Sequence, residues 1–287
     1  MIFLYHHFIK KRIMNKLHIY QVDAFAESVF SGNPAAIVPL REWLSDELMQ
    51  KVAMENNLSE TAFFVPLTPE KMKSTGADYH IRWFTPETEI DLCGHATIAT
   101  AFVIDSILHL DTKFKKISFI TEKAGLLHVG VEKGWYTLDL PSRMPEPCIT
   151  PDGLFDALGI ESAITVMRSR DYFVVLKDEQ EVAGLKPDFT ALAKLDALGV
   201  IVTAKGETYD AVSRCFYPKA GIPEDPVTGS AHSNIIPYWS ERLGKDELVC
   251  RQVSARGGTL VCNNKGDRVW MSGRCCLFLE GVIHLPG

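Results

Sequence analysis

The chain has 287 residues, of which 46% are hydrophobic and 23% charged, and its formal net charge is -6. That composition excludes a disordered chain, and it gives no electrostatic reason to bind nucleic acid, since the thirty Lys and Arg are scattered apart from Lys10, Lys11 and Arg12. No apolar run approaches the roughly 18 residues of a membrane-spanning helix, and the longest candidate, residues 98–108, is interrupted by Thr100, Asp105 and Ser106.

Residues 1–13 place an apolar stretch before their basic cluster, the reverse of a secretory signal, so residues 1–14 are expected to form a disordered or loosely attached extension, with Met14 an alternative start. Residues 17–25 and 35–40 read as strands around a turn at Gly32, Asn33 and Pro34. Ser45 then caps a helix that carries Asp46 and Glu47 in its first turn, repeats Leu44, Leu48 and Val52 every four residues, and ends near Asn56 and Asn57. Strands are expected over 61–65 and 79–84. Residues 94–108 are apolar almost all round, so a helix there must be buried.

Residues 117–140 have the texture of strands and turns, and Pro141, Pro145, Pro147 and Pro151 punctuate the next stretch of chain. Strands are expected at 164–167, 172–176, 199–203 and 209–216, with a short amphipathic helix near 188–195. A second apolar helix begins at Gly229, and strands and turns run from Val249 onward.

An internal repeat organises these elements. Arg82, Phe84 and Pro86 spell R-x-F-x-P ahead of a G-x-A at Gly94 and Ala96; Arg214, Phe216 and Pro218 repeat it 132 residues later, ahead of Gly229 and Ala231. Each half then becomes a strand-rich domain wrapped around one hydrophobic helix, with function in the cleft between them.

A helix N-terminus offers unpaired N–H groups and partial positive charge, so two such ends facing one cleft make an anion site. Gly94 and Gly229 allow close approach, and the hydroxyls of Thr97, Thr228 and Ser230 add donors; ordinary capping is the alternative. Glu60 precedes the apolar Ala62, Phe63 and Phe64, and a carboxylate desolvated in this way is a competent acid or base near neutral pH. His95 and Asp225 occupy matched places just at or before the two buried helices, where they either meet substrate or balance the helix dipole.

Cys93 stands at the same helix start, but the other half offers no partner thiol between Asp225 and Gly229, so it is expected to be a buried bystander. Seven scattered cysteines without C-x-x-C, and nine histidines without H-E-x-x-H, indicate neither disulfides nor a metal site, and a reducing cytoplasm is the expected setting.

With VDAF at 22–25, GNP at 32–34, NLSET at 57–61, FTP at 84–86, CGHAT at 93–97 and EDPVTGSA at 224–231, the chain resembles the phenazine-biosynthesis-type (PhzF-like) isomerases over residues 17 to about 281. The resemblance implies an α+β fold of diaminopimelate epimerase type. Two pseudo-symmetric domains, expected over 15–122 and 123–287, would each wrap a curved, mostly antiparallel sheet around a central hydrophobic helix, and the last strand would return to the first domain. It also implies Glu60 as proton shuttle with His95 beside it and Asp225 and Ser230 opposite. Substrate would be bound around Gly94, Ala96, Thr97, Thr228, Gly229 and Ser230, and the assembly would be a homodimer. Two departures limit the transfer: Pro226 stands where an epimerase would carry its second thiol, and Ala96 where the phenazine enzymes more often carry proline.

The reading is a cofactor-independent isomerase that moves a proton on a small carboxylate. An amino-acid or hydroxy-acid racemase and a non-catalytic metabolite-binding protein are the alternatives.

Overall fold

The computed structural model describes residues 15–109 and 115–285; the extension expected over 1–14 lies outside them. The fold is α+β, as expected. The first half runs β1 (Asn15–Ala24), β2 (Asn33–Pro39), α1 (Asp46–Asn56), β3 (Glu60–Pro66), α2 (Pro69–Thr75), β4 (Tyr79–Phe84), β5 (Glu89–Ile90), α3 (Gly94–Phe102), β6 (Lys116–Ile120), β7 (Leu126–Glu132) and β8 (Trp135–Pro141). The second begins with β9 (Glu146–Pro147), α4 (Leu154–Leu158), β10 (Thr165–Arg168), β11 (Tyr172–Val175), α5 (Glu179–Gly184), α6 (Phe189–Leu192) and β12 (Val200–Lys205). It continues with β13 (Ala211–Tyr217), β14 (Ile222–Asp225), α7 (Gly229–Leu243), β15 (Glu247–Gln252), β16 (Gly258–Asn264), β17 (Arg268–Gly273) and β18 (Cys275–Leu285).

Strand pairing repeats in the two halves. β2 runs parallel to β3 across α1, β4 parallel to β6 across α3, and β6, β7 and β8 pair antiparallel. In the second half β11 runs parallel to β12, β13 parallel to β15 across α7, and β15, β16 and β17 pair antiparallel. β8 and β17 join the halves antiparallel. Within the second half β9 pairs with β10, and beyond the seam the second half sends a strand back to the first: β18 lies along β1 from Asn15↔Leu285 to Ala24↔Cys275. The division expected after residue 122 falls between β6 and β7, inside one run of pairings that continues to Pro141.

The R-x-F-x-P repeat is a structural clamp. Arg82 grips Glu89 with Nε and Nη2, both at 2.7 Å, and Arg214 grips Glu224 at 2.7 and 2.8 Å. Each guanidinium lies 5.2 Å over the ring of its own motif, Phe84 or Phe216. The planar fork and the aromatic face together tie the return strand to β4 or β13 at two charge-assisted hydrogen bonds each.

The two central helices obey their sequences with local adjustments. α3 buries His95 through Ala101 against β1, β2, β3 and β8. It was expected to reach residue 108, but after Phe102 the chain widens into a π-turn over Val103–Ile107, where the Val103 N–H is shared between the carbonyls of Ala99 and Thr100. In α7, Pro237 has no N–H for the Ser233 carbonyl; the Arg143 N–H takes that oxygen at 2.8 Å, so the helix continues to Leu243. The helix near 188–195 is a single turn, Phe189–Leu192, capped by Asp188. Among the described residues no helix is long and apolar enough to cross a membrane.

Candidate active site

Glu60 opens β3 directly after α1, which ends on Asn57 in the left-handed region (φ 49°), a turn that asparagine tolerates. β3 is buried from Glu60 to Val65, and Glu60 is only 6% exposed. Its Oε2 lies 3.1 Å from His95 Nε2, an ion-pair distance, yet it makes no directed hydrogen bond among the described residues. A buried carboxylate oxygen left in that state is an acceptor held for another donor. Cys93 Sγ is 3.4 Å from His95 Nδ1 and 4.0 Å from Nε2, distances that place the sulfur beside the ring and not in line with either nitrogen.

From the second half, Asp225 ends β14. Its Oδ2 accepts the Thr228 hydroxyl at 2.6 Å and its Oδ1 accepts Asn33 Nδ2 at 2.6 Å. Gln252, fully buried on β15, locks this loop: it donates to the Asp225 carbonyl at 2.5 Å and accepts the Thr228 N–H at 2.9 Å. One turn into α7, His232 Nδ1 donates to the Thr228 carbonyl at 2.8 Å. Asn33 Nδ2 lies near Asp225 Oδ1, the Val227 carbonyl at 2.9 Å and His95 Nδ1 at 3.2 Å. An amide has two hydrogens, so the two shorter contacts hold them and Asn33 ties the first half to the second.

The tips of α3 and α7 meet at their glycines: a methyl group on Gly94 would stand 3.7 Å from Gly229 Cα and 3.2 Å from Leu138 Cδ2. α1, α2, α5 and α6 receive side-chain caps, whereas neither Cys93 nor Thr228 caps the helix it precedes, so first-turn N–H groups remain for a ligand.

Burial sets the electrostatics. It pushes the Asp225 carboxyl up to about 6, with His95 opposing and Glu60 reinforcing the shift. Burial and the Glu60 charge push the Cys93 thiol up to about 11, which leaves it a neutral thiol near pH 7. Burial by itself lowers the His95 imidazole, but the charges of Cys93 and Glu60 outweigh it and hold the ring well above its ordinary range. Burial holds His232 down at about 4, a neutral ring despite its bond to the Thr228 carbonyl.

A cleft of about 550 Å³ opens beside these tips, lined by Glu60, Asp225, Thr228 and Ser230 from the expected set and by Ile90, Leu92, Arg170, Leu198, Tyr217, Lys219 and Ile222. Of the other expected residues, His95 lies against Glu60 and Gly94 against Gly229, but none of the three lines the cleft, and two more are enclosed. Ala96 and Thr97 have no exposed surface, and the Thr97 hydroxyl turns back onto the Cys93 carbonyl at 2.5 Å inside α3. Asn33, Gln252 and Arg170 were not among the expected site residues. Asn33 had a signal in its G-N-P motif; Gln252 and Arg170 had none.

The sequence pattern of the family described as phenazine biosynthesis-like protein matches residues 22–281. The chain belongs to this PhzF-like family. It is 50% identical over 270 residues to a Pseudomonas aeruginosa protein named as an uncharacterized isomerase, a match covering 94% of this chain and all of that one. A second Pseudomonas aeruginosa protein so named is 44% identical, over 94% and 99% of the two chains. The crystal structure of a PhzF-family protein from Enterococcus faecalis superposes with a TM-score of 0.88 at 47% identity, over 94% of this chain and 100% of that one. A hydroxyproline epimerase from Agrobacterium vitis, 11% identical with a TM-score of 0.62 over 96% and 94% of the two chains, shares the fold.

Within this PhzF-like chain, Glu60, Cys93 and His95 also bring three ligand atoms within 4.8 Å of one another.

Proposed function

We propose that this PhzF-like protein is a cofactor-independent isomerase in which Glu60 removes a proton from carbon on a small carboxylate substrate and returns it elsewhere on the same molecule. The observation that carries the reading is the Glu60 carboxylate, 6% exposed, with an oxygen that makes no directed hydrogen bond among the described residues, on the wall of a cleft that also holds Asp225, Thr228 and Ser230 at the α7 tip. The uncapped first-turn amides bind the substrate carboxylate and stabilise the charge that develops as the proton leaves. His95 holds Glu60 in place through charge, and Asp225, with Thr228 and Ser230, positions the substrate from the other half.

One base that both takes and returns the proton produces isomerisation. Stereoinversion needs a second group that delivers a proton to the opposite face of the carbon, and Asp225 already accepts hydrogen bonds on both oxygens. Self-association as a homodimer and a cytoplasmic setting belong to the same proposal.

The test is proton exchange. The protein is incubated in deuterated water with a panel of small unsaturated and saturated carboxylic acids, and label uptake is read by NMR and mass spectrometry. Uptake with migration of a double bond is expected, and Glu60→Gln abolishes it. Equal uptake by Glu60→Gln overturns the assignment of the base, inversion at one carbon identifies a racemase, and binding without uptake identifies a metabolite-binding protein.

A further inference from the structure

We propose that Arg170 is a specificity-determining residue that receives a second carboxylate of the substrate, which makes the substrate class a short dicarboxylate. The proposal rests on the proton-transfer reading for the first carboxylate, held at the helix tips.

The cleft walls differ in charge. On the first-half wall, Glu89 is gripped by Arg82 and Asp91 by Lys123 Nζ at 2.8 Å, while Glu87 has no ion pair among the described residues. The second-half wall carries Arg170 and Lys219. Arg170 Nε lies 3.2 and 3.3 Å from the Asp171 oxygens and its Nη2 2.8 Å from Oδ2, while its side chain keeps 42% of its surface open. Asp171 is 1% exposed and also accepts the Tyr217 hydroxyl at 3.4 Å.

This side-on grip fixes the guanidinium plane from behind and leaves Nη1 outside the ion pair. An arginine already ordered in this way binds a carboxylate without giving up the rotamer freedom of a loose side chain. Among the described residues Lys219 reaches only the Leu195 carbonyl, at 3.4 Å, and adds a cation to the same wall. Ile90, Leu92, Leu198 and Ile222 give the cleft apolar surface that suits a short carbon chain between two charged ends.

The probes are glutaconate and trans-2-pentenoate, diacid and monoacid of equal chain length, with affinity read by calorimetry and exchange of the allylic protons by NMR in deuterated water. The wild type is expected to bind glutaconate roughly tenfold or more tightly than the monoacid. Arg170→Met and Arg170→Lys are expected to bring the two within about threefold; the lysine variant keeps a cation beside buried Asp171, so its loss reports the guanidinium fork and not misfolding. A wild type that binds neither acid, or both equally, overturns the proposal, as does a preference that survives both substitutions. Preference without exchange upholds the Arg170 assignment and refutes the proton-transfer reading; exchange without preference does the reverse.

Discussion

The side-chain amide of Asn33 donates to Asp225 Oδ1 at 2.6 Å, a bond between residues 192 positions apart that joins β2 of one half to the β14–α7 loop of the other. Asn33 also donates to the Val227 carbonyl and has no exposed surface, so both hydrogens of its amide are held by partners across the seam.

Replacing Asn33 by Ala or Leu is expected to reduce proton exchange by about 10- to 100-fold and to move its acid limb to higher pH. The direction follows from the hydrogen bond, which lowers the Asp225 carboxyl; without it Asp225 protonates more readily near neutral pH. An unchanged pH–rate profile in Asn33→Ala refutes the coupling.

Asp225 also links pH to stability. Its carboxyl stands at about 6 in the fold against an ordinary 3.8, so the folded state binds the proton more tightly than the unfolded chain. The associated stability is fully present below the unfolded value and is lost as pH rises through about 6. Asp225→Asn is therefore expected to gain on the wild type by on the order of 1–3 kcal/mol between about pH 4 and 6, with a constant difference above that. Urea denaturation across the range measures it; a flat difference shows that Asp225 is not held up by burial.

Cys93, 6% exposed and with its thiol pushed up to about 11, is expected to resist iodoacetamide near neutral pH in the native protein and to react on unfolding. Cys93→Ala is expected to retain proton exchange within about tenfold of the wild type, because the reading gives the thiol no proton to move. Complete loss of exchange in a folded Cys93→Ala protein makes the thiol a base and reopens the racemase reading.

The contact between helix tips predicts a steric limit at Gly94. A Cβ there already meets Leu138 Cδ2 at 3.2 Å, and the branched methyls of Gly94→Val must displace either Leu138 or the α7 tip. The expected result is a loss of about 1–3 kcal/mol in chemical denaturation, together with weakened carboxylate binding. A variant of wild-type stability and affinity refutes the close approach of α3 and α7.

Much of this architecture was legible in one dimension. Strand 79–84 coincides with β4, the Ser45 cap and its acidic first turn precede α1, and the two R-x-F-x-P copies mark matching clamps in matching halves. Period, capping and turn chemistry are properties of neighbouring residues, so they survive without coordinates. α2 was passed over even though Thr68, Pro69 and Gly76 give it a cap, a first-turn proline and a left-handed end, because its seven residues bury nothing and so carry no apolar period.

Sequence alone determined the repeat, the pair of buried helices with glycine at their starts, and a carboxylate among apolar neighbours. Only the tertiary structure decided which groups share the cleft: that Asn33 meets Asp225, that Glu60 keeps an unpartnered oxygen beside His95, that Thr97 turns away, and that Arg170 is clamped by buried Asp171. Side-chain periodicity says which face of an element is buried. What it is buried against depends on the closure of β8 on β17 and the return of β18 to β1, pairings between residues far apart in the chain that no local pattern encodes.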